Sequence, residues 1–169
     1  IDINSCTFNF NKAGEKGAGV FACKDLHIKN SKFSKNTVSM YGGAVYFKCH
    51  EQTGHYEDGK WVSSIKYYNC FIEGSTFAYN VASERGGAIY GFRTSSSDTV
   101  HCAKAVKCTF SDNNSPKGKN IYGGTLTDCI SKNTKLTINK VIVKKSAPKI
   151  VLKATLKKGA TPLKDKIVT

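Results

Sequence analysis

The chain has 169 residues, 40% of them hydrophobic, and a formal charge of +14 at pH 7. That is enough apolar material for one ordinary core, or for one domain and part of another. No apolar run approaches the roughly 18 residues of a helical membrane span, so membrane insertion of this segment by a helix is excluded. The charge is uneven: residues 1–132 carry 16 Lys+Arg against 11 Asp+Glu, and residues 133–169 carry 10 Lys against one Asp. A basic tail of this kind suits anionic surfaces, but Lys interleaved with strand-formers is also the ordinary guard of a solvated sheet against edge pairing, so no nucleic-acid partner is expected.

In chain order, four upstream segments align: IDINSCTF (1–8), LHIKNSKF (26–33), CFIEGSTF (70–77) and AKAVKCTF (103–110). Period-two alternation puts Ile1/Ile3, Leu26/Ile28, Cys70/Ile72 and Ala103/Ala105 on one face. A small residue stands two before each terminal Phe (Cys6, Ser31, Ser75, Cys108), and Cys6 and Cys108 read as buried apolar fillers of that column. Each Phe (Phe8, Phe33, Phe77, Phe110) opens a Phe-x-x-Asn phrase that ends on Asn11, Asn36, Asn80 or Asn113. Next come GAGVFAC (17–23), YGGAVYF (41–47), RGGAIYGF (85–92) and GKNIYGG (118–124). The paired glycines Gly42, Gly43, Gly86 and Gly87 suit a sharp corner with positive φ.

A unit of about 25 residues with short strands cannot bury its own apolar face, but stacked copies can. The expected fold is all-β: a right-handed parallel β-helix, a pectin-lyase-like solenoid of about four to five coils over residues 1–132. Its columns would be Phe (8, 33, 77, 110), β-branched (Val20, Val45, Ile89, Ile121) and aromatic (Phe21, Tyr46, Tyr90, Tyr122), with an Asn ladder at the turn.

The Phe-to-Phe spacings of 25, 44 and 33 residues expose two insertions. The first, at about 50–69, carries Asp58-Gly59 between strand-formers and predicts a hairpin. It gathers His55, Tyr56, Trp61, Tyr67 and Tyr68, side chains suited to stacking on sugar rings or anchoring protein contacts, or else to covering the flank of the coils. The second, at about 93–101, is a polar loop. Seven cysteines favour an oxidising setting, and Cys49 and Cys70 bracket the first insertion, where a disulfide would clamp its base. A metal site from Cys49-His50, His101-Cys102 and Cys70 fits no known spacing, so no metal or other cofactor is expected.

Past Ile121 the pattern fades into a partial coil, then an exit strand and linker (133–148). Residues 149–169 alternate again, with Ile150, Leu152, Ala154 and Leu156 on one face, GATPL as a turn and KDKIVT opening a further strand. This reads as the start of a β-sandwich cut short after two strands. Beginning inside a repeat and stopping within a strand pattern, the chain reads as a fragment of a longer protein.

The paired Phe-x-x-Asn and GGA[IV] phrases resemble the repeats of chlamydial polymorphic outer-membrane proteins and of the adhesin-like proteins of methanogenic archaea, in which pectate-lyase-like β-helix repeats precede Ig-like domains. LKATLKKGATPLKDKIVT is similar to the first strands of an invasin-type Ig-like domain. The resemblance implies a non-catalytic adhesin-like module at the cell surface, a rigid rod displaying loops to a glycan or protein, with further Ig-like repeats in the full-length chain. Two other readings compete. One is a polysaccharide lyase or hydrolase of the same fold, which needs paired carboxylates or a carboxylate-held calcium that the acid-poor repeats do not cluster. The other is a purely structural envelope component.

Overall fold

The computed structural model describes residues 1–92, 102–132, 134–138, 154–158 and 161–162. The chain divides into two units, Ile1–Ser131 and Lys132–Thr169. The described residues are all-β, without a helix long and apolar enough to cross a membrane.

In the first unit successive repeats contribute equivalent strands to four parallel sheets, two of five strands, one of three and one of four. One sheet takes Asp2–Asn4, Leu26–Lys29, Cys70–Glu73, Ala103–Val106 and Gly124–Thr127, in that order, with every neighbouring pair parallel. A second takes Thr7–Asn9, Lys32–Ser34, Thr76–Ala78, Thr109–Ser111 and Ile130–Lys132. A third holds Lys12–Ala13, Thr37–Val38 and Val81–Ala82, and a fourth Val20–Ala22, Val45–Lys48, Ile89–Phe92 and Ile121–Tyr122. Spatial order equals sequence order in each, an arrangement compatible with a parallel β-helix.

Why the chain turns where it does is visible in the backbone. Three columns of positive φ recur: Ser5, Asn30, Gly74, Lys107 and Asp128; Phe10, Lys35, Tyr79 and Asp112; and Gly17, Gly42, Gly86 and Gly118. Each marks a corner, and in the first two it comes directly before a residue whose side chain bridges layers. A left-handed Phe or Tyr costs ~1–2 kcal/mol. Phe10 and Tyr79 hold that conformation because hydrogen bonds made by Asn11 and Asn80, one residue on, offset the cost.

After the second corner comes the Asn ladder. Asn36 Oδ1 accepts from the backbone N–H (3.1 Å) and Nδ2 (2.9 Å) of Asn11; Asn80 does the same for Asn36, and Asn113 for Asn80. The Nδ2 groups of Asn36, Asn80 and Asn113 also donate to the carbonyls of Phe8, Phe33 and Phe77. Asn36 and Asn80 are fully buried, and their polar groups are met by partners in the layers on either side.

After the first corner comes a second ladder. Ser31 Oγ donates to Lys29 O (2.7 Å) and accepts from Cys6 N–H (3.1 Å); Ser75 Oγ donates to Glu73 O and accepts from Ser31 N–H. Cysteine takes the same role in later layers: Cys108 Sγ donates to Val106 O (3.3 Å), and Cys129 Sγ accepts from Cys108 N–H (3.4 Å). Cys108 is therefore not a simple apolar filler. Cys6 is exposed rather than buried.

The two glycines of each GG pair do different work. Gly42 and Gly86 carry the positive φ. Gly43 and Gly87 do not, but a Cβ on Gly43 would overlap the Gly87 carbonyl, and one on Gly87 the Lys119 carbonyl, so these layers approach too closely for any side chain.

The core lies between the sheets: Leu26, Ile28, Val45, Phe47, Ile72, Ile89 and Ala105 are fully buried. Phe8, Phe33, Phe77 and Phe110 stack with centroids 4.7, 4.9 and 5.2 Å apart. Burying such a ring is worth ~2–3 kcal/mol. Phe21, Tyr46, Tyr90 and Tyr122 form a second stack at 5.1–5.4 Å. Burial, then the neighbouring Tyr90, push the Tyr46 hydroxyl up to about 12.

In the second unit, Thr134–Ile138 pairs antiparallel with Ala154–Lys158, which pairs antiparallel with Thr161–Pro162. The segment read as an exit strand is thus a sheet partner of the strand beyond the linker, and part of the GATPL turn is itself a short strand. Residues 93–101, the face containing Ile150 and Leu152, and the KDKIVT strand lie outside the described residues.

Candidate functional site

The insertion after Cys49 is an antiparallel ribbon, His50–Glu57 paired with Lys60–Tyr67 in unbroken register from Lys60↔Glu57 to Tyr67↔His50. Asp58 (φ 47°) and Gly59 (φ 73°) form its tip, the two left-handed residues a primed two-residue turn needs. Among the described residues the ribbon pairs with no other sheet.

Alternation along both strands sorts its side chains. Gln52, Gly54, Tyr56, Trp61, Ser63, Ile65 and Tyr67 share one face; Glu51, Thr53, His55, Glu57, Lys60, Val62, Ser64 and Lys66 share the other. Tyr56 (74% exposed), Trp61 (58%), Ile65 (49%) and Tyr67 (53%) all face solvent. Tyr56 and Trp61 sit opposite each other in the ladder and meet edge to face at 5.1 Å. Trp61 also reaches diagonally over Gly54: a Cβ there would collide with indole atoms Cζ2, Cε2 and Cη2. The indole therefore lies on bare backbone.

The five aromatic and histidine candidates separate in the structure. Tyr56, Trp61 and Tyr67 share a face. His55 points the other way, 3.8 Å from Glu57, and Thr53 and Ser64 hydroxyls meet beside it at 2.9 Å. Tyr68 is not displayed: it is 5% exposed at the ribbon's base. There its hydroxyl donates to Glu51 Oε2 (2.7 Å) and accepts from Lys24 Nζ (3.0 Å), while Lys24 and Glu51 pair at 2.9 Å. The Lys24 ammonium also stands 5.1 Å from the Tyr68 ring centre. Hydrogen bonds from Lys24, then Tyr68, hold the Glu51 carboxyl below the usual carboxylate range, and bonds to Tyr68 and Glu51 push the Lys24 ammonium up. Sequence reasoning missed Gln52, Gly54, Ser63 and Ile65. Counting by twos from the Asp58-Gly59 tip would have found them.

The base is covalently fastened, but not by the pair expected. Cys49 is bonded to Cys102, 53 positions on in sequence, with Cα atoms 5.9 Å apart, whereas Cys70 is free. Cys70 stands in register with Leu26 and Ala103, and its side chain points into the core. Burial pushes its thiol up to about 12. Cys102 directly precedes Ala103, and its carbonyl accepts from Cys70 N–H, so it lies one layer on from the place where the ribbon rejoins the stack. With Cys49 and Cys102 bonded to each other, the cysteine–histidine metal set is dissolved; His101 lies outside the described residues. Among the described residues no three His, Cys, Asp or Glu side chains gather to hold an ion.

No curated protein and no solved structure matches the chain. The family model that matches is the Chlamydia polymorphic membrane protein repeat, over residues 30–48 and 74–91. Each match runs from the first corner of a layer, through the Phe-x-x-Asn ladder, to the GGA[VI]Y strand. These two layers, the ones flanking the aromatic ribbon in sequence, are therefore similar to that repeat.

Proposed function

We propose that the chain is a non-catalytic, surface-exposed adhesin-like module. In this reading residues 1–132 form a right-handed parallel β-helix of five coils, and residues 149–169 begin an Ig-like domain followed by others of its kind. The stack is a stiff support, and the ribbon at 50–67 is the contact element for a glycan or protein on another surface. The observation that carries the reading is the ribbon: two eight-residue strands that, among the described residues, pair only with each other, with Tyr56, Trp61, Ile65 and Tyr67 about half exposed or more on one face. A monomer rarely leaves such a row of large apolar side chains uncovered without a contact to make. The match to a repeat of polymorphic membrane proteins supports an envelope location. The scarcity of acids, 11 in residues 1–132, supports a binding rather than a hydrolytic role.

The test is adherence of the purified chain to host cells and to glycan and cell-wall arrays, with and without residues 50–67. Loss of binding, with strand circular dichroism and the Cys49–Cys102 bond retained, is the expected result. Binding that survives the deletion overturns the ribbon's role, and turnover of any polysaccharide on the arrays overturns the non-catalytic reading.

A further inference from the structure

Resting on the reading of the ribbon as a contact element, we infer that its aromatic face binds a neutral oligosaccharide through pyranose rings stacked on Trp61. Gly54 decides the shape of the platform. With no side chain at 54, the indole lies over the backbone of the neighbouring strand and turns its other face outward. Tyr56 braces it at 5.1 Å with the ring planes 67° apart, and the indole stays 58% exposed. A flat, immobilised ring matches the axial C–H face of a hexose and costs little ordering on binding.

Polar groups on the same face complete the chemistry. Ser63 lies directly opposite Gly54, beside the indole, and Gln52 lies one step further toward the base, opposite Ile65. A hydroxyl and an amide both donate and accept, which suits sugar hydroxyls. Charge decides the class of sugar. Every Lys, Asp or Glu on the two strands, from Glu51 and Glu57 to Lys60 and Lys66, is on the opposite face or at the tip, and His50, at the base of the aromatic face, is buried. A uronate or sulfate laid on Trp61 would meet no lysine of the two strands on that face. From Trp61 to Tyr67 the face runs ~20 Å, so several linked residues are accommodated rather than one.

The experiment is titration of the full chain, followed by Trp61 fluorescence (the one tryptophan) and calorimetry. The ligands are neutral β-linked gluco- and galacto-oligosaccharides and their uronate and sulfated counterparts. Saturable binding of a neutral oligosaccharide, unchanged between low and high salt, is expected. Trp61→Ala weakens it at least tenfold by calorimetry, and Lys60→Ala on the other face leaves it unchanged. Gly54→Val, which keeps the indole but lifts it from the backbone, also weakens binding several-fold, separating platform geometry from mere presence of the ring. Preference for acidic glycans with steep salt dependence overturns the inference, as does binding indifferent to Trp61. No glycan binding by a chain that still adheres to cells through the ribbon overturns the inference while leaving the adhesive reading intact.

Discussion

Replacing Asn80 with Ala probes the ladder at its most enclosed point. The side chain is fully buried and makes four hydrogen bonds: Nδ2 to Phe33 O at 3.0 Å and to Asn113 Oδ1 at 2.9 Å, and Oδ1 from Asn36 N–H at 3.1 Å and Asn36 Nδ2 at 2.9 Å. Each such bond is worth a net ~1 kcal/mol, and an orphaned buried group costs ~1–3 kcal/mol. The Asn36 amide is left without its acceptor, whereas Asn113 Oδ1 keeps the Asn80 N–H and Asn36 Nδ2 keeps Phe8 O. The expected loss is about 4–6 kcal/mol. Asn11→Ala is the internal control: that side chain sits in the outermost layer, half-buried, and its Nδ2 makes one ladder bond. Its loss should be ~1 kcal/mol. The assay is urea unfolding followed by strand circular dichroism, with hydrogen exchange at the Asn36 amide as a local readout, because stacked repeats need not unfold in a single step. Equal midpoints for the two variants, or an Asn36 amide still protected in Asn80→Ala, would refute the claim that the ladder binds the layers together.

Gly87→Ala should be far more disruptive than Gly59→Ala. The first drives a methyl into the Lys119 and Asn114 carbonyls, while the second has open space at the ribbon tip and incurs only the left-handed backbone cost, ~1 kcal/mol; thermal unfolding ranks them. Peptide mapping without reduction should recover Cys49 joined to Cys102, and brief alkylation at neutral pH should label exposed Cys6 but not Cys70, whose buried thiol does not ionise there. Stability should fall at alkaline pH. Cys70 and Tyr46 are both pushed up to about 12 and Cys108 to about 11, above their ordinary 9.0, 10.0 and 9.0. Their contribution is complete below about pH 9 and is lost as the pH climbs to about 12, because the unfolded chain releases these protons first. A flat unfolding midpoint between pH 8 and 11 would contradict this.

The sequence alone determined the repeating geometry. Positions that recur in every layer meet their own copies, so the rows of Phe8, Phe33, Phe77 and Phe110 and of Asn11, Asn36, Asn80 and Asn113 are legible from spacing alone. Local turn chemistry did the same for the ribbon, because Asp58-Gly59 needs nothing distant to form its turn. Two of the three corners were illegible: left-handed Lys35, Tyr79 and Asp112 share no residue type, and only the stacked backbone selects their conformation. Which cysteine meets Cys49 was also a tertiary matter. Unequal insertions make sequence distance a poor guide, and the inward direction of Cys70 removes the nearer candidate in favour of one 53 residues away. The division of labour in the aromatic cluster was decided the same way. Neighbours in sequence point to opposite sides of a strand, so His55 parts from Tyr56, and the end of the ribbon at Tyr67 leaves Tyr68 buried against Glu51 of the paired strand and Lys24, which lies 44 positions earlier and outside the insertion.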